Sequence, residues 1–219
     1  MKRRIRTIQE EKWLGPFGED YTRNHLSSPD EIEERFKKSY GISRTTMNSK
    51  FLNSLDPESR ILEVGCNVGS QLVLLQRMGF KNLHGIDIVQ TAVKLAKQQT
   101  KNISIIVSSA SYIPFETNFF DLVFTSGLLV HIAPENINKA IDEIYRCTRT
   151  YIWGMEYYAK AYEEMKWRGQ DKMVFPAPFV KFYQERFKDL KLLRKEFFSP
   201  LSPQKNPIVI SMFLLKKIR

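Results

Sequence analysis

The run "ILEVGCNVGSQL", Ile61 to Leu72, constrains the fold more than any other stretch. An apolar segment leads into a turn carrying Gly65 and Gly69, and helical spacing follows. A strand that turns sharply and lets its backbone approach a ligand needs residues without a Cβ. The helix starting near Ser70 then aims its free N–H groups at that ligand. A strand–turn–helix unit of this kind belongs in an open α/β sheet, and the rest of the chain supplies one.

From Arg60 onward, short apolar runs alternate with amphipathic segments. "ILEV" (61–64), "NLHGIDI" (82–88), "ISIIV" (103–107) and "DLVFTS" (121–126) read as strands buried on both faces, as in a parallel sheet. Gln71 to Met78 and Thr91 to Gln98 have helical spacing, and Pro134 is expected to open a helix over "ENINKAIDEIYRC". "TYIWGMEYY" (150–158) is the fifth strand; "DLKLLRKEFF" and "PIVISMFLLKK" add two more after a helix near Phe179 to Phe187. The expected fold is therefore α/β: a doubly wound, mostly parallel, seven-stranded Rossmann-like sheet. Residues 1–55 differ. "WLGPFGEDYTRNH" is rich in aromatics and turn formers, and two helices follow, Asp30 to Ser39 and Thr45 to Leu55. This segment reads either as a lid over the ligand crevice or as a helical cap on the sheet edge, with residues 56–219 as the binding domain.

The ligand is narrowed by a second residue. A ribose needs an acid at the end of the next strand to hold its hydroxyls, and Asp87 stands there, 22 residues after Gly65. The spacing is E-x-G-x-N-x-G, with Glu63 two residues before the first glycine and Asn67 where a dinucleotide turn has its middle glycine. Asparagine enters left-handed backbone more readily than most residues. An acid in the turn suits a cationic ligand, whereas it repels a pyrophosphate.

These residues resemble the first motif of class I S-adenosylmethionine-dependent methyltransferases. The resemblance implies that the turn wraps the methionine portion of S-adenosylmethionine, with Glu63 near its ammonium and Asp87 on the ribose. It continues through "SSASYIPFETNFFDLVFTSGLLVHI", which is similar to the family's adenine-side loop and fourth strand. There Ile88, Ser109, Ala110 and Ser126 become cofactor neighbours. Ser109 stands where the family usually has an acid facing the adenine amino group. The fourth strand would deliver His131 near the transferring methyl, as general base or as a cap of the following helix. Glu156, at the end of the fifth strand, is the other candidate base, a positioning acid, or the partner of a cation. Cys66 reads as a small buried filler, Cys66 and Cys147 as free thiols, and no metal-ligand pattern is visible.

A narrower resemblance rests on "FGEDYTRN", "FDLVFTSGLLVHIAPENI", "MEYY" and "WRGQDKM", which together look like methylases associated with pseudaminic acid biosynthesis. It implies a small acceptor, a nonulosonic acid or related activated sugar of surface-glycan assembly. Tyr21, Arg23, Asn24, Tyr157, Arg168 and Asp171 are then acceptor-side candidates, Arg168 as a grip for a carboxylate or phosphate.

Charge leaves a competing partner class. The formal net charge is +10, but Lys2, Arg3, Arg4, Arg6, Lys216, Lys217 and Arg219 account for all but +3 of it. Tails of this kind could dock RNA or a protein substrate, but a basic stripe on the folded body is not evident. A non-catalytic binding module is the third alternative. No apolar run approaches the roughly 20 residues that span a bilayer. The basic start has no apolar segment behind it, so the expectation is a cytoplasmic chain without membrane insertion.

Overall fold

The computed structural model describes residues 6–24, 26–204 and 208–218; the tail cations Lys2, Arg3, Arg4 and Arg219 lie outside these. Four helices come first: α1 (Ile8–Leu14), α2 (Pro16–Asn24), α3 (Pro29–Tyr40) and α4 (Arg44–Leu52). The first two correct the reading of "WLGPFGEDYTRNH" as turn-rich. Gly15 caps the end of α1, and Pro16 opens α2, where its missing N–H costs nothing. Thr7 and Glu10 form a reciprocal capping box on α1, as Ser28 and Glu31 do on α3.

The α/β unit follows as β1 (Arg60–Val64), α5 (Ser70–Arg77), β2 (Asn82–Asp87), α6 (Gln90–Gln99), β3 (Ser104–Val107), β4 (Phe120–Ser126), α7 (Ile137–Cys147) and β5 (Thr148–Tyr157). After it come β6 (Met165–Trp167), β7 (Gln170–Val174), α8 (Phe179–Arg186), β8 (Leu190–Phe198) and β9 (Ile210–Lys217). Seven of the strands form one sheet in the order β3-β2-β1-β4-β5-β9-β8. Strands β1 to β5 run parallel, and β9 is antiparallel to both its neighbours.

Each face of the sheet carries its own core. Leu62, Val64 and Val123 pack with Ile137, Ile141 and Ile144 of α7 and with Phe179 and Val180 of α8. Ile61, Leu122 and Phe124 point the other way, onto Met47 and Phe51 of α4, Leu72 and Leu75 of α5, and Val93 of α6. Alternation along β1 and β4 thus fills both layers, which is why the middle of each strand is largely apolar on both faces.

Two local features depart from expectation. Helix α7 begins at Ile137 after Asn136, so Pro134 precedes the helix instead of sitting in its first turn. Residues 165–174 form a separate hairpin, β6–β7, that the sequence did not announce. Trp167 pairs with Gln170, leaving Arg168 and Gly169 as a two-residue turn with φ 49° and 75°. Positive φ at both positions marks the turn type that matches strand twist.

Candidate active site

Strand β1 lies between β2 and β4, the position at which the winding of the sheet reverses and where open α/β sheets bind ligands. A cavity of about 280 Å³ opens there, walled by the strand ends below and by α1, α2 and α3 above. Its floor is the glycine turn. Gly65 has φ 76°, and a Cβ there would lie 2.6 Å from the Leu128 side chain. Asn67 takes φ 46°, the left-handed conformation expected of it, and Gly69 takes φ 78° as the cap of α5. Gly65 and Asn67 face the cavity; Gly69 shapes the turn from behind it.

Asp87 pins this turn to the next one. Its carboxylate accepts from Asn67 N at 2.8 Å and from Val89 N at 2.8 Å. Burial pushes its pKa up against those bonds. Glu63, Ile88, Ala110 and Ser126 line the same cavity. Ser109 does too, and its hydroxyl donates to Glu10 Oε1 at 2.7 Å.

The sequence reading passed over Arg44, and the site turns on it. This side chain is 1% exposed at the start of α4, yet it reaches the cavity wall. Its Nε donates to Gln71 Oε1 at 3.0 Å and its Nη2 to Ser126 Oγ at 3.1 Å. The guanidinium lies 5.3 Å from the Phe36 ring centre and 5.9 Å from that of Trp153. Burial lowers its pKa only to about 10, so it stays charged at neutral pH. Burial drives the Glu63 carboxyl well above its ordinary range, opposed by the nearby Arg44. Arg44 Nη1, Glu63 Oε2, Gln71 Nε2 and Asn67 Oδ1 are all buried with no hydrogen-bond partner among the described residues. Buried polar atoms left so are costly. Here two donors and two acceptors share one cavity. A signal existed: Arg44, Met47, Asn48, Phe51 and Leu52 share the buried face of α4, so an arginine stands on a mainly apolar stripe.

Another part of the cavity wall is aromatic. His131 closes a single 3-10 turn, Leu129–His131, after β4. Its Nδ1 lies 2.8 Å from Met173 O, and because a carbonyl only accepts, the ring proton sits on Nδ1. Nε2 is then the atom with a lone pair. Trp13 meets the imidazole edge-on at 5.0 Å and Trp167 lies at 4.9 Å. This packing pushes its pKa down to about 4. Tyr21 lines the cavity beside Trp13, with the Arg168 guanidinium 5.3 Å from its ring and 5.1 Å from that of Trp167.

Several expected site residues lie elsewhere. Glu156 is fully buried beneath the site and does not face the cavity. Its carboxylate accepts from Leu128 N at 3.1 Å and Val130 N at 3.4 Å, so it holds the turn that presents His131. Tyr157 packs into the core. Arg23 is exposed and pairs with Glu19 at 3.8 Å, and Asn24 and Asp171 are exposed away from the cavity. Trp13, Glu10 and Trp167 were missed because the segments bearing them were not read as ordered elements.

Residues 62–153 match the model of a methyltransferase domain. Over this stretch, less than half of its length, the chain carries a methyltransferase domain. It is 27% identical over 118 residues to the phosphoethanolamine N-methyltransferase of Plasmodium falciparum, a stretch of 52% of this chain. The chain spans less than half the length of the curated relatives it matches, 43% of that one. Among solved structures, the Burkholderia thailandensis 1,6-didemethyltoxoflavin-N1-methyltransferase, with bound 1,6-didemethyltoxoflavin and S-adenosylhomocysteine, superposes with a TM-score of 0.69. It is 10% identical, over 100% of this chain and 94% of that one. The PH0226 protein of Pyrococcus horikoshii gives 0.67 at 16% identity, over 91% and 99%. At such identities the likeness is one of fold: the class I methyltransferase fold.

The cofactor of this domain is S-adenosylmethionine, and the unpartnered atoms fit it. An α-amino acid presents one ammonium and one carboxylate. Glu63 and Asn67 would offer it acceptors, Arg44 and Gln71 would offer donors, and Asp87 in the same cavity would offer an acceptor to ribose hydroxyls.

Proposed function

We propose that the chain methylates a small acidic acceptor, a nonulosonic acid or a related activated sugar of surface-glycan assembly. The observation that carries the methyl-transfer reading is the pairing of two ends in one cavity. One end has Arg44 and Glu63 with unmatched buried polar atoms; the other has a neutral imidazole fixed in a single tautomer. An acidic acceptor is supported by charge around Tyr21. Arg168 and Arg35 both act on its hydroxyl through space, favouring the anion against its burial. The long resemblance from Trp13 to about Leu190 points to the sugar class.

S-adenosylmethionine supplies an electrophilic methyl on a sulfonium. The protein's contribution is alignment, water exclusion and proton removal. Arg44 and Glu63 hold opposite charges of the cofactor's amino acid end. Trp13 and Tyr21 wall the acceptor end and keep water from it, with Trp167 packed against both rings. His131 Nε2 receives the proton of the acceptor hydroxyl, and Met173 O keeps the other ring nitrogen protonated. An acceptor anion beside the imidazole raises its basicity from the low value it has in the packed site. Glu156 positions the 3-10 turn and takes no part in proton transfer. Helices α1, α2 and α3 act as the lid of the site.

The test is transfer to a panel of free and nucleotide-activated nonulosonic acids, neutral hexoses, hexose phosphates and phosphoethanolamine, read by mass spectrometry as the gain of one methylene. Preference for carboxylated sugars is expected. Equal transfer to neutral sugars would remove the acidic-acceptor reading, and no binding of S-adenosylhomocysteine would remove the enzyme reading.

A further inference from the structure

The loop after β3 faces the cavity with small polar groups and no acid. Ser108, Ser109, Ala110 and Ser111 all line it, beside Ile88 and Val89. The loop is tightly built: Ser108 N bonds Asp87 O at 2.9 Å, Ser111 N bonds Ser109 Oγ at 3.1 Å, and Ser109 bridges to Tyr112. A purine whose ribose is held at Asp87 has this loop and the Ile88–Val89 wall as its neighbours. The 6-amino group of adenine is a donor, and a charged acceptor holds it more strongly than a hydroxyl does.

A charged acceptor does reach this loop, from the far end of the chain. Glu10 belongs to the first turn of α1, lines the cavity, and accepts from Ser109 Oγ at 2.7 Å. Its other oxygen accepts from Thr7 N at 3.1 Å, which fixes the carboxylate in the capping box. Thus 99 residues of chain separate two groups that meet on one wall. Helix α1 is seated in turn by Gln9, whose Nε2 donates to Lys172 O at 3.2 Å, and by Lys12, which donates to Gln170 Oε1 at 3.2 Å.

We propose that Glu10 is the adenine-specificity residue of the site, a carboxylate carried in by the N-terminal helix to accept from the purine 6-amino group beside Ser109. This rests on the cofactor reading above. It makes the seating of α1 part of cofactor recognition: the helix that closes the site also brings the acid that reads the base.

The test compares S-adenosylhomocysteine with S-inosylhomocysteine, in which a 6-oxo acceptor replaces the 6-amino donor, by calorimetry on the full chain. Wild-type protein is expected to prefer the adenosyl ligand by about tenfold or more, the worth of a charge-assisted bond. Glu10→Gln keeps the capping box, since glutamine serves at that position, and its amide donates to the 6-oxo group. The preference should then collapse to within about threefold. A Glu10→Gln protein that binds both ligands more weakly by one common factor, its preference intact, overturns the proposal and leaves Glu10 a helix cap. Wild-type protein with no preference overturns it as well. If wild-type protein binds neither ligand, the cofactor reading itself fails, and this assignment with it.

Discussion

Replacing Glu156 with glutamine separates its two consequences, the presentation of His131 and the cost of a buried charge. The carboxyl titrates at about 7 in the fold, up from 4.5, because burial outweighs the bonds from Thr125 and the backbone of residues 128–130. An acid whose folded pKa is raised binds more protons folded than unfolded. Its contribution to stability is therefore full below pH 4.5 and is lost as pH rises through about 7. At about 1.36 kcal/mol per pH unit, that window is worth about 3 kcal/mol. Glutamine does not titrate. It can accept from Leu128 N but turns an amide donor toward Val130 N, a fixed loss of about 1–2 kcal/mol. Urea denaturation from pH 4.5 to 8 should show wild-type stability falling, relative to Glu156→Gln, by about 3 kcal/mol across the range. His131 works the other way: its pKa is depressed to about 4, so its contribution is present above 6.5 and lost as pH falls toward 4. The two oppose each other between pH 4.5 and 6.5, which makes the difference between variant and wild type, not the wild-type curve, the informative quantity. A difference that stays constant within about 0.5 kcal/mol would refute the account of Glu156 as a buried, destabilised acid.

Removing the proposed base should spare binding. His131→Ala is expected to cut turnover by about a hundredfold while S-adenosylhomocysteine affinity stays within about threefold by calorimetry; full turnover would end its role. Arg44→Met should weaken S-adenosylhomocysteine by about 10- to 100-fold, the loss of a charge-assisted bond. A ligand lacking the carboxylate should bind variant and wild type alike. Gly65→Ala places a methyl against Leu128 at φ 76° and should lower stability by about 1–2 kcal/mol, visible as a reduced urea midpoint.

The sheet was legible because its strands are buried on both faces, so "ILEV" and "DLVFTS" carry no polar alternation to confuse with an edge. The turn was legible because Gly65, Asn67 and Gly69 are the residue types that left-handed backbone admits. What the sequence hid had a common physical cause. In "LGPFG" the same residues that mark a loop also end one helix and begin the next, so α1 and α2 were invisible and Glu10 and Trp13 went with them. The hairpin β6–β7 pairs only with itself, so its strands lack the apolar run of a buried strand. Arg44 is a charge inside a layer of hydrophobic residues, and only its place on the α4 stripe betrays it. Glu156 was placed correctly at a strand end, but which way a carboxylate faces there depends on the amides of a loop 26 to 28 residues away.

The hairpin β6–β7 contributes no strand to the main sheet, yet its Met173 carbonyl sets the tautomer of His131 and its Lys172 and Gln170 anchor α1. It is a cassette plugged between β5 and α8. A change in its length or turn would re-aim the aromatic wall and the base together while leaving the glycine turn and Asp87 untouched. Because the same hairpin also seats α1 and with it Glu10, a foreign hairpin grafted here would shift the aromatic wall and the Glu10–Ser109 contact in one step.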